Sequence, residues 1–79
     1  MKVKAEVSIY PLRNSDLTRL IQQFVEVLKD NKLQVRVGPM SSLVEGDSQI
    51  VFKSLQEDFE QLAKEYEVVL TAKISNACP

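Results

Sequence analysis

From Val3 to Tyr10 the chain alternates with period two: Val3, Ala5, Val7 and Ile9 against Lys4, Glu6, Ser8 and Tyr10. That pattern predicts a strand with one buried face. Pro11 has no ladder donor and is expected to end it. The period then changes. Leu17, Leu20, Ile21, Phe24, Val25 and Leu28 fall at i, i+3, i+4, i+7, i+8 and i+11, one stripe of a helix over 15–30. Asn14 or Ser15 is expected to cap it, and Asp16 suits the positive end of its dipole. Lys29 and Lys32 suit the negative end, with Asn31 taking the left-handed conformation that closes the helix.

Residues 33–37 return to period two, with Leu33, Val35 and Val37 inward. Gly38-Pro39 interrupts them, which places this strand at a sheet edge or a bulge. Glu45-Gly46-Asp47 reads as a hairpin turn with Gly46 at positive φ. Ile50 and Phe52 point one way along the next strand and Val51 the other. Ser54 and Glu57 form a capping box that opens a second helix over 54–66, with Leu55, Phe59, Leu62, Ala63 and Tyr66 on one face. Residues 67–75 close the chain as a strand with Val68, Leu70, Ala72 and Ile74 inward. The order is strand, helix, strand, strand, helix, strand over one domain, residues 1–79. With right-handed crossovers it predicts an α+β, ferredoxin-like split βαβ (βαββαβ) fold: an antiparallel four-stranded sheet of order 4-1-3-2 with two helices on one face.

Such a sheet leaves its other face bare. The pattern assigns Lys4, Glu6, Ser8, Tyr10, Gln34, Arg36, Met40, Val51, Val69, Thr71 and Lys73 to that face. The plain reading is a solvated face; but a domain of this size buries only about 60–65% of its unfolded surface, so self-association as a homo-dimer or tetramer, through this face or the edge strand, is the expectation. Glu6 then meets Arg36 or Lys73 of another copy.

Composition narrows the function by exclusion. Ten Lys+Arg against eleven Asp+Glu leave a net charge of −1, without the basic excess of a nucleic-acid binder. No apolar run approaches the roughly 20 residues that cross a bilayer, and the N-terminus has no secretory apolar region, so a cytoplasmic protein without membrane partners is expected. With no His and one Cys, Cys78, there is no zinc or copper set and no Cys–His pair. Tyr10 is the lone stacking aromatic for an RNA-recognition surface, and Arg13 follows the first strand without the glycines of a phosphate-cradling loop. Glu57 with Glu60, and Glu65 with Glu67, read as solvated helix carboxylates. No nucleophile, base and orienting group can be assembled, so no enzyme, no metal and no cofactor are expected.

One segment stands out, residues 38–47. Ser41 and Ser42 offer hydroxyls that donate and accept, Glu45 and Asp47 carry negative charge, and Tyr10 and Met40 add polarizable surface. The set suits a small planar heterocycle with a cationic part; the plain alternative is a long polar hairpin. The two blocks AEVSIYPL (5–12) and GPMSSLVEG (38–46), with one helix between them, resemble the small ferredoxin-like thiamine-binding protein family, whose hairpin runs Gly-Pro-x-x-Thr-x-Val-Glu-Gly. Ser42 stands at the Thr position and keeps its hydroxyl; the chain stops at NACP, where many members continue with a charged tail. The resemblance implies non-enzymatic binding of thiamine or its hydroxymethylpyrimidine part, as a carrier or sensor, and homo-oligomers packed through their sheets. It places the ligand among Tyr10, Met40, Ser41 and Ser42, with Glu45 as the acidic neighbour. The alternative is a self-associating structural or regulatory module with no small ligand.

Overall fold

The computed structural model describes residues 1–13 and 16–77; the cap expected at Asn14 or Ser15, and Cys78, lie outside the described residues. The elements run β1 (Lys2–Leu12), α1 (Leu17–Asp30), β2 (Gln34–Val37), β3 (Ser42–Asp47), α2 (Ser48–Leu62) and β4 (Glu67–Ser75). The strands form one sheet of order β2-β3-β1-β4, with every neighbouring pair antiparallel. This is the ferredoxin-like arrangement that the period switches predict, with β2 at an edge. Both helices cover one face. Val3, Ala5, Val7 and Ile9 of β1 meet Leu20, Phe24, Val25 and Leu28 of α1 and Val51, Leu55 and Leu62 of α2 in a single core.

Four local expectations are corrected. First, α2 begins six residues before the predicted capping box. Asp47 is its N-cap, accepting the Gln49 N–H at 3.1 Å. Val51, assigned from the sequence to the bare face of a strand, is 0% exposed in the core. Ser54 is no cap: it is buried mid-helix and accepts the Asn31 side-chain amide at 2.7 Å. Second, Glu45-Gly46-Asp47 is the end of β3, and neither glycine has a positive φ. A side chain at Gly46 would collide with that of Leu33, so this glycine makes room for a core residue. The tight turn lies at 38–41 instead, closed by the Gly38 N–H donating to the Ser41 carbonyl at 2.8 Å. A Cβ at Gly38 would lie 2.8 Å from that same carbonyl oxygen. Third, the left-handed residue after α1 is Lys32 (φ 66°), not Asn31 (φ −84°).

Fourth, β1 does not stop at Pro11. It pairs with β3 only over Lys2–Val7 but with β4 over Lys4–Leu12. Where Pro11 falls, opposite Val68, β1 has a strand neighbour on one side alone, and a missing N–H is tolerated at such an edge. On the bare face Glu6 faces Lys73 of the same chain, and the Ser8 and Thr71 hydroxyls lie 2.6 Å apart. Leu43 and Glu45 of β3 share that face, a placement the hairpin reading missed.

Candidate functional site

The stagger between β1 and β3 makes a recess. Past Val7, which pairs with Ser42, β1 continues for five residues without β3 beside it. The 38–41 turn and the first turns of α1 close the gap around Ser8, Ile9 and Tyr10. The resulting cavity is about 330 Å³. Leu17, Ile21 and Phe24 of α1 form its apolar wall; Tyr10, Met40, Ser41 and Ser42 line its mouth and side. No charged side chain lines it among the described residues.

Four of the five residues singled out from the sequence therefore come together. Ser42 is 7% exposed, on the helix side of β3. Met40 is 89% exposed at the tip of the turn, and Tyr10 stands half exposed on the facing strand. Ser41 sits at the rim, its hydroxyl 3.5 Å from a Glu6 carboxylate oxygen. The fifth, Glu45, is elsewhere. It lies three residues further along β3, about 10 Å away at strand rise, with its side chain on the other sheet face. There it forms an ion pair with Lys2 at 2.8 Å, and the hydrogen bond from Lys2 holds its carboxyl below the usual range. Asp47, its companion in the sequence reading, is held low by the N-terminal ammonium 3.1 Å away. Glu6 reaches the rim of the recess through Ser41, although its alternation in β1 marks it only as outward-facing. Leu17, Ile21 and Phe24 also went unassigned to a site, because a helical stripe reads as core; only the gap in the sheet exposes its first turns.

Chemically the recess offers a flat apolar wall, one buried hydroxyl and a strand edge. Backbone groups along an unpaired strand edge are strong donors and acceptors in want of partners. Its shape suits a planar group, with hydrogen-bonding atoms at the edge and apolar surface against a face.

The fold defines the chain first as a ferredoxin-like α+β protein. It belongs to the YKOF-related family, whose model matches residues 2–79. A UPF0045 protein of Methanocaldococcus jannaschii is 29% identical over 72 residues, which cover 90% of this chain and 72% of the relative. The crystal structure of that archaeal protein superposes with a TM-score of 0.88 at 30% identity, over 98% of this chain and 81% of the other. A Streptococcus pneumoniae protein matches with a TM-score of 0.87 at 24% identity, over 99% and 89%. A Thermotoga maritima protein, proposed to act in thiamine biosynthesis or salvage, matches with a TM-score of 0.83 at 22% identity, over 95% and 83%. At such identities the last two likenesses show the fold alone. No helix among the described residues is long and apolar enough to cross a membrane.

Proposed function

We propose that the protein binds the hydroxymethylpyrimidine part of thiamine, free or within thiamine, in the recess beside β1, and that it does so without catalysis. The observation that carries this reading is the unpaired edge of β1 at residues 8–10 facing the apolar wall of Leu17, Ile21 and Phe24. A pyrimidine ring stacks on that wall and on Tyr10, while its ring nitrogens and amine bond to the strand edge and to the Ser42 hydroxyl. An uncharged lining suits the neutral ring; the thiazolium of thiamine would extend past the mouth toward Glu6. The thiamine role proposed for the Thermotoga protein of the same fold is consistent with this ligand.

Calorimetry with hydroxymethylpyrimidine, thiamine and its phosphates tests the reading. Ser42→Ala should weaken binding about fivefold, the loss of one neutral hydrogen bond of about 1 kcal/mol. Glu45→Gln should leave affinity unchanged, because Glu45 faces the other side of the sheet. No heat with any of the compounds, or equal affinity for Ser42→Ala and the parent, discards the site.

The reading includes self-association. Tyr10, Val37, Met40 and Leu43 are apolar and exposed around the β2 edge and the bare face. A homo-dimer or tetramer built on them is expected in light scattering at micromolar concentration; a 9.0 kDa monomer would sink it.

A further inference from the structure

Asp58 lies on the inward face of α2, 1% exposed, and neither carboxylate oxygen has a hydrogen-bond partner. Leu55 and Leu62, one turn to either side, fill the core. Packing alone would favour another leucine at position 58, because a buried carboxyl without a partner is costly. Asp58 is among the residues that line a groove of about 500 Å³ between α1 and α2, its carboxylate oxygens just beneath the groove surface; the groove shares no residue with the recess beside β1. Glu26 and Asp30 of α1 and Glu65 after α2 also line it, with Lys64 as the one cation among the described residues. Four carboxylates against one ammonium give the groove a net charge of −3 when Asp58 is ionised. Val27 and Leu62 add apolar wall.

The acids are spread along the groove. No group of three metal-ligating side chains converges among the described residues, which argues against a compact metal ion. Glu26 and Asp30 stand one helical turn apart, about 6 Å along α1. Separated negative charges beside an apolar strip match an extended cation with ammonium groups at the ends of a methylene chain. We propose that the α1/α2 groove binds a linear aliphatic diamine or polyamine, one ammonium on the Asp58 carboxylate, a second between Glu26 and Asp30, and the methylenes against Val27 and Leu62. Because the Asp58 oxygens have almost no accessible surface, this binding mode requires side chains at the groove surface to move aside for the first ammonium.

Proton linkage follows. Burial pushes the Asp58 carboxyl up to about 8. Facing it are Glu26 and Asp30 from α1, and Lys64 and Glu65 from the end of α2. At pH 7 Asp58 is mostly protonated, so an arriving ammonium displaces close to one proton, and affinity rises about tenfold from pH 7 to pH 9.

Isothermal titration of the full chain with putrescine and spermidine tests this, at pH 7 in two buffers of different ionisation enthalpy and again at pH 9. Saturable binding with proton release, about tenfold tighter at pH 9, is expected. Asp58→Asn should lose at least tenfold in affinity, and Glu60→Gln should lose nothing. No saturable heat, no proton release, equal affinity for Asp58→Asn, or tighter binding of Mg²⁺ than of putrescine would each overturn the proposal. Should Asp58→Asn fail to fold, proton release by the parent protein still decides.

Discussion

Unfolding in urea is expected to show an Asp58→Asn variant pulling away from the parent as pH rises from 4 to 8. The Asp58 carboxyl is pushed from its ordinary value of 3.8 to about 8 by desolvation. Between those values the folded chain keeps a proton that the unfolded chain gives up. The parent therefore loses stability with rising pH across this window, at a slope on the order of 1 kcal/mol per pH unit, and levels off above pH 8. Asparagine cannot ionise, so its curve lacks this slope and its advantage grows to several kcal/mol. Glu45 and Asp47 work in the opposite direction. Their lowered values add stability above the normal carboxylate range that is lost on acidification, below the Asp58 window. Parallel midpoints for parent and variant from pH 5 to 8 would show that the Asp58 charge is compensated.

Phe24→Ala should be the most damaging single truncation. Phe24 is fully buried, packs into the core and forms part of the recess wall. Removing a buried phenyl ring costs about 3–5 kcal/mol, against a total near 4–12 kcal/mol for a chain of this length. The denaturant midpoint should fall by about half, and ligand binding should go with it. Two milder comparisons separate the effects. Phe24→Leu should keep most of the stability and lose stacking affinity. Leu28→Ala, in the same helix but away from the recess, should lose about 2–5 kcal/mol of stability and keep the affinity of the folded fraction. If Leu28→Ala also abolished binding while still folded, the recess wall would not be the ligand platform.

Where periodicity ran long, the fold was legible. The β1 alternation and the α1 stripe each extend over enough residues to give one answer, and the topology followed from their order. Residues 45–57 were misread because local preference and tertiary packing disagree there. Ile50-Val51-Phe52 favours a strand by side-chain type, yet Val51, Leu55, Asp58 and Leu62 step at helical spacing and lie buried. The Ser54/Glu57 capping box is a real pattern in a place where no helix starts. For the site, Ser42, Ser41, Met40 and Tyr10 stood out by type. Glu45 was grouped with them by proximity in sequence, although odd and even positions of a strand point to opposite faces. The recess wall was invisible because its existence depends on where β3 stops beside β1, which no single segment encodes.

The stagger that opens the recess also leaves a short length of β1 with its hydrogen-bonding edge uncovered, and such edges recruit strands from other chains. Several features keep that hazard small here. The open stretch is short, Pro11 withholds an amide at its far end, and the Gly38–Ser41 turn stands across its near end. Extending the β2/β3 hairpin by two residues per strand would zip β3 onto residues 8–10 and remove the hazard, but it would fill the cleft with backbone. Solubility and an open cleft thus compete for the same few amides, and a ring bound there as proposed would protect the protein from aggregation as well as being held by it.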